Sequence, residues 1–249
     1  MHQNGFLDLC AQALSNLYKI YVYTVFAVTL IPFYPITAVL IKSERTKKWS
    51  TPVFLVWSYL LSFLFLIFVK RNKAKTPNQS AVIIANHTSH LDIFLMYQIL
   101  PMRNIVFMGK HEILRYPFIR TYFKGLHIPV DRSDKRQSAQ SMFLAKRKLD
   151  EGWSVVIFPE GGIPDFVAPK MAAFKSGAFV IAQKAKVPII PISLCNHFEL
   201  LSEPQNTQGS AHPGFSNVYI HPIISPDVIQ QSAIEYLMDS SRDLITSKL

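Results

Sequence analysis

His87 and Asp92 stand five positions apart in the run Asn86, His87, Thr88, Ser89, His90, Leu91, Asp92, directly after the apolar stretch 81–85. A histidine near neutral pKa can take the proton from an alcohol as its oxygen attacks an acyl carbon. It works better when a carboxylate holds its other ring nitrogen, fixing the tautomer and stabilising the imidazolium. A loop histidine followed by an aspartate in the first turns of a helix permits that contact. Thr88 or Ser89 can cap such a helix, and Asp92 near its N-terminus is favoured by the helix dipole. The same spacing also fits an ordinary loop histidine and an unrelated helix-start carboxylate. His87, His90 and Asp92 are potential metal ligands as well, but His111, His127, His197, His212 and His221 are scattered and complete no ligand spacing.

Two further runs carry polar groups at the ends of apolar stretches. In Gly125 to Ser133 a short apolar segment ends in Asp131 and Arg132, where a guanidinium at a sheet rim can fork onto a phosphate or pair with Asp131 or Asp134. In Phe158, Pro159, Glu160, Gly161, Gly162 the proline fixes the exit, and the two glycines let backbone N–H groups approach a ligand closely. Glu160 could accept from a substrate hydroxyl or from Arg132, or simply sit exposed on a tight turn. Residues 187–192 hold no reactive group and read as core and wall.

The elements that must position these groups alternate in type. Residues 81–85, 104–108, 126–130, 154–158, 188–193 and 217–222 read as strands. Helical stretches fall at 90–100, 112–123, 135–151 and 174–186, with a C-terminal helix from about Pro226. Residues 201–215 form the longest expected loop. Apolar runs of four to six residues between helices predict an α/β fold with a mixed, mostly parallel sheet flanked by helices. In such folds chemistry gathers where strands end and helices begin, and the three polar runs fall there.

The 249-residue chain is 49% hydrophobic and only 17% charged, too apolar for an ordinary soluble domain of this size. Of the net charge of +10, residues 1–75 hold +7, from nine Lys/Arg against Asp8 and Glu44. That excess lies beside two uncharged stretches, 20–41 and 49–69, and points to anionic lipid head groups rather than nucleic acid. Each stretch is long enough for a hydrocarbon core of roughly 30 Å at about 1.5 Å per residue. Residues 1–75 are therefore expected to be a two-helix membrane anchor and 76–249 the α/β domain. The basic segments 42–48 and 70–75 would lie on opposite sides of two spanning helices, so a re-entrant path that keeps both cytoplasmic competes with a plain hairpin. Cys10 and Cys195 are too few and too distant for a disulfide framework or a zinc site.

In this order and at these spacings the motifs resemble the lysophospholipid (1-acylglycerol-3-phosphate) acyltransferase family. The resemblance rests on Asn86, His87, Ser89 and Asp92; on Gly125, Pro129 and Arg132; on Phe158 to Gly161; on Phe174, Lys175 and Gly177; and on Val187 to Pro191. It implies that His87 is the general base, oriented by Asp92, acting on the free hydroxyl of lysophosphatidic acid, with acyl-CoA or acyl-carrier protein as donor. The substrate-binding set it implies is Asn86, Ser89, Lys124, Arg132, Glu160, Gly161, Gly162 and Lys175. It implies no metal and no covalent acyl-enzyme, a membrane location, and a catalytic domain on the cytoplasmic face. One departure stands out. The family commonly continues Phe-Pro-Glu-Gly with Thr-Arg-Ser, and this chain has Gly162, Ile163 and Pro164, so the usual arginine is missing. Phosphate affinity must then come from groups such as Arg132, Lys170 and Lys175, and another lysolipid or a lyso-aminolipid is an alternative acceptor. A metal-dependent hydrolase or a non-catalytic lipid binder would use the same pocket differently.

Overall fold

The computed structural model describes residues 2–101, 103–131, 133–164, 169–203 and 206–249. The chain opens with α1 (His2–Leu40), a short α2 (Glu44–Lys47) and α3 (Ser50–Phe65). It then alternates through β1 (Ile67–Arg71), β2 (Val82–Ala85), α4 (Leu91–Ile99) and β3 (Ile105–Lys110). A 3-10 turn (His111–Arg115) leads to α5 (Pro117–Gly125), β4 (Ile128–Val130), α6 (Lys135–Asp150) and β5 (Ser154–Ile157). The last elements are α7 (Gly177–Ala185), β6 (Ile189–Leu194), α8 (His197–Leu200), β7 (Gly214–Ile220), α9 (Pro226–Gln231) and α10 (Ile234–Thr246).

Seven strands form one sheet in the order β1-β7-β6-β2-β5-β3-β4. Every neighbouring pair is parallel except β6 with β7, as the near-continuous apolar strands predicted. Each residue of β2, β5 and β6 is buried, so helices cover both faces there. Helices α3 and α4 pack together and onto β1, while α6, α7 and α10 pack on β5, β2 and β6.

Local signals explain the helix starts. Asp134 accepts from the N–H groups of Arg136 and Gln137 to cap α6, and Ser225 caps α9 ahead of Pro226. The single helix expected at 112–123 is broken because Pro117 cannot continue the preceding turn and instead opens α5. The expected C-terminal helix is likewise two helices, parted at Ser232 and Ala233.

The expectation of two anchoring helices needs correction. Only α1 among the described residues is long and apolar enough to cross a membrane, and little of its length is buried. At 39 residues it extends roughly 58 Å and runs on through Pro32 and Pro35. Such a helix marks the chain as membrane-associated. The second apolar stretch divides: α3 has 16 residues, about 24 Å, too short for a hydrocarbon core of about 30 Å. Leu66, with φ 55, ends α3 in a left-handed conformation, and the remaining apolar residues become β1, paired with β7 inside the sheet. A strand from the 1–75 segment thus belongs to the sheet of the segment after it.

Helix α1 is fastened to that body by aromatic packing. Trp57 of α3 stacks on Phe26 and Phe33 with ring centroids 5.3 and 5.4 Å apart, and Tyr34 meets Phe118 of α5 edge-on at 5.2 Å. Outward-facing Leu7, Leu14, Leu17, Ile31 and Val39 leave a long apolar face uncovered.

Candidate active site

Strands β2, β5, β3 and β6 run parallel, so the residues that follow them share one edge of the sheet. Asn86, the first residue past β2, is buried, and its side chain exchanges two hydrogen bonds with the backbone of Leu194 in β6 (3.0 and 2.8 Å). It extends the β2–β6 pairing by one rung and fixes the height at which His87 leaves the sheet.

His87 Nδ1 lies 2.7 Å from Asp92 Oδ2. An ionised carboxylate only accepts, so Nδ1 carries the proton and Nε2 keeps its lone pair for a substrate. The imidazole stacks on Phe158 at 4.1 Å and 16°, and its side chain stays 13% exposed while Asp92 is fully buried. Asp92 Oδ2 also accepts the backbone N–H groups of Thr88 (2.9 Å) and Ser89 (3.1 Å). Its other oxygen, Oδ1, lies 2.6 Å from Nδ1 of His197, which is buried completely. Burial alone would raise the Asp92 carboxyl. The hydrogen bonds from His197 and His87 outweigh it and hold the group well below the usual carboxylate range.

Ser89 stands just ahead of α4, where its Oγ accepts the Leu91 N–H at 3.1 Å and donates to the Leu201 carbonyl at 2.6 Å. The substrate contact expected of Ser89 would have to compete with those two bonds. Glu160 is buried rather than exposed on a turn. Its two oxygens accept the N–H of His87 (2.9 Å) and of Ala172 (2.8 Å), so it braces the backbone of the proposed base. Burial pushes its carboxyl above the ordinary value against the pull of those N–H donors. Arg132, its other expected partner, lies outside the described residues.

Gly161 takes φ 93, a left-handed value suited to glycine, and its N–H bonds the Phe158 carbonyl at 3.0 Å. Over Gly162 lies the ammonium of Lys110, the last residue of β3; a Cβ at Gly162 would sit 2.6 Å from Lys110 Nζ. A cation thus stands at the loop where the expected arginine is missing. Lys175 is exposed, and its backbone N–H bonds the Pro159 carbonyl at 2.9 Å, tying that segment to the same loop. Lys124 is exposed and lines, with His111, Glu112, Arg115 and Arg120, a groove of about 400 Å³.

His90 turns away from this group. Its Nδ1 is 3.1 Å from the Tyr23 hydroxyl of α1, and its Nε2 is 3.6 Å from Glu203. Among the described residues no group of three His, Cys, Asp or Glu side chains is arranged to hold a metal ion.

Sequence reasoning missed His197 and Lys110. Neither belongs to a run that draws attention by residue type. Both do fall at or just after a strand end on the edge that carries His87, and a search confined to that edge would have found them.

The arrangement can abstract a proton at His87 Nε2, hold the resulting imidazolium against Asp92, and meet an anion at Lys110. A family model described as Acyltransferase matches residues 66–195. A 1-acyl-sn-glycerol-3-phosphate acyltransferase of Chlamydomonas reinhardtii is 29% identical over 188 residues, 75% of this chain and 54% of that protein. One from Saccharomyces cerevisiae is 27% identical over 219 residues, covering 86% of this chain and 70% of that protein. The alpha form from Mus musculus is 31% identical over 169 residues, 67% of this chain and 57% of its own length. The chain therefore spans about half to seven-tenths of the length of these relatives. The crystal structure of the 1-acyl-sn-glycerophosphate acyltransferase PlsC from Thermotoga maritima has the same fold, with a TM-score of 0.71. That likeness covers 96% of this chain and 95% of the other at 21% identity.

Proposed function

This chain belongs to the acyltransferase family, and on that premise we propose that it moves a fatty acyl group from an acyl thioester to the sn-2 hydroxyl of lysophosphatidic acid, giving phosphatidic acid. The observation that carries the reading is the 2.7 Å contact of His87 Nδ1 with a buried, ionised Asp92, on a partly exposed ring at the sheet edge. His87 Nε2 takes the hydroxyl proton as the oxygen attacks the thioester carbonyl. The tetrahedral intermediate then expels the thiolate, and the imidazolium returns the proton to sulfur. One C–O bond forms and one C–S bond breaks, with no net proton change. Asp92 lowers the barrier by attracting the imidazolium while it exists.

Lys110, held over Gly162, is the group best suited to meet the acceptor's phosphate in place of the missing arginine. The exposed apolar face of α1 supports delivery of the acceptor from a bilayer, and the basic segments beside α1 and β1 support a cytoplasmic orientation. Acyl-CoA and acyl-carrier protein are the donors to compare, since each presents a thioester and an anionic carrier.

The test is a transfer assay on membranes carrying the chain, with acyl-CoA and lysophosphatidic acid. His87→Ala is expected to cut the rate at least about 100-fold. Full activity in that variant would remove the base and with it the reaction. Repeating the assay with lysophosphatidylcholine, a lyso-aminolipid and acyl-carrier protein fixes acceptor and donor.

A further inference from the structure

Asp92 is shared between two histidines, and only one of them is exposed. His87 donates to Oδ2 and His197 meets Oδ1 at 2.6 Å; His197 Nε2 in turn lies 2.6 Å from the Ser216 hydroxyl. His197 and Ser216 are fully buried, so neither reaches substrate. The chain of contacts runs from Ser216 on β7, through His197 just past β6, to Asp92 on α4 and His87 just past β2. A carboxylate only accepts, so His197 Nδ1 must donate to Oδ1, and the opposite ring nitrogen, Nε2, meets the Ser216 hydroxyl. Asp92 thereby sets the tautomer of His197, and the Ser216 hydroxyl at Nε2 holds the ring in the orientation that points Nδ1 at Oδ1.

We propose that His197 is a positioning residue for the acyl transfer inferred above: its N–H to Asp92 Oδ1 fixes the plane of the carboxylate and draws off part of its charge. With four N–H donors in place, Asp92 cannot turn away from His87. Its grip on the imidazolium is also moderated, so the base can be regenerated neutral after each turnover. Glu160, whose oxygens accept from His87 and Ala172, is the other titratable group that acts on this pair.

The experiment compares His197→Leu, His197→Asn and Ser216→Ala in the full chain. An asparagine amide can reproduce the Nδ1–H donor, because its nitrogen occupies nearly the position of Nδ1. Leucine is expected to lower kcat about tenfold or more, with the acceptor KM within about threefold of the parent. The acid limb of the rate profile should move to higher pH by about half a unit, since an unshared carboxylate favours the imidazolium more strongly. Asparagine should restore both kcat and the limb. An unmoved limb in the leucine variant, or an asparagine variant as impaired as leucine, overturns the proposal. If leucine prevents folding, the asparagine and Ser216→Ala variants carry the comparison: the first must retain the parental limb and the second must displace it. The His87 ring signal in 15N-histidine-labelled protein reports the same displacement without turnover. A missing transfer activity in the parent chain would therefore sink the acyl-transfer reading while leaving the His197 arrangement to be judged separately.

Discussion

Replacing Asp92 by Asn removes a charge while leaving the shape of the site nearly unchanged. The amide oxygen can still accept from His87, Thr88 and Ser89 at the Oδ2 position. The amide N–H2 then faces His197 Nδ1, which can accept it by shifting its proton to Nε2 and donating to Ser216. Every hydrogen-bonding group thus finds a partner, and folding should survive. What is lost is the attraction between the carboxylate and the imidazolium that forms during transfer. With charge centres about 4 Å apart and an effective dielectric of about 20, that attraction is about 4 kcal/mol for a full charge and about half that for a half-transferred proton. At about 1.4 kcal/mol per tenfold, kcat should fall between about 30-fold and 1,000-fold, with the acceptor KM little changed. The assay follows thiol release from acyl-CoA with a thiol-reactive dye over a range of lysophosphatidic acid, alongside a melting curve for each protein. A folded Asp92→Asn variant with kcat within about threefold of the parent would refute electrostatic support of the base.

Lys110→Ala should raise the KM for a phosphate-bearing lysolipid about 10- to 100-fold, the range of a charge-assisted hydrogen bond, and Lys110→Arg should recover most of it. An equal loss toward an acceptor without a terminal phosphate monoester would separate Lys110 from phosphate recognition. Stability should also fall on acidification. Burial lowers His127 to about 3 and His221 to about 4, both below the unfolded value of about 6.5. Both are neutral in the fold, so their contribution is full above about pH 6.5 and is lost as pH falls through the folded values. Melting temperature should therefore drop between pH 7 and pH 4.5, and His221→Phe should flatten that drop. A midpoint that holds steady or rises on acidification contradicts the burial of these rings.

The sheet was largely legible because its central strands are short runs rich in Val and Ile. Residues 82–85, 154–157 and 189–194 have no other way to bury every side chain than between two helical layers. β1 was hidden for a physical reason. It continues the apolar composition of α3 without a polar or glycine break, and the separating turn falls on Leu66, a residue type that gives no sign of a left-handed conformation. Hydropathy alone reads such a run as one span. The five-residue spacing permitted the local contact of His87 with Asp92 without requiring it; the ordered motifs that follow made it the expectation, and a strand-to-helix turn brings the two side chains together. His197 was not, since it reaches Asp92 across 105 residues and only the β6–β2 pairing makes them neighbours. The motif singles out Glu160 but leaves its environment open, since nothing in Pro159 to Gly162 tells that two backbone N–H groups converge on its carboxylate.

The same long-range contacts bind the site to the membrane helix. The Tyr23 hydroxyl of α1 meets His90 two residues before Asp92, and Ser58 of α3 donates to the Phe94 carbonyl two residues after it, at 2.7 Å. The Gln98 side chain reaches the Ser58 carbonyl and hydroxyl, both at 2.8 Å, so α4 is held at its start, middle and end by the two apolar N-terminal helices. Lys19 of α1, buried, bonds the carbonyls of Asn206 and Gly209 at 2.6 and 2.7 Å, fixing the loop that follows α8 and therefore the neighbourhood of His197. A helix that merely tethered a soluble catalyst would need none of these bonds. Their distribution couples α4, which carries Asp92, and the loop that follows His197 to α1 and α3, so a displacement of α1 is transmitted to both sides of the carboxylate.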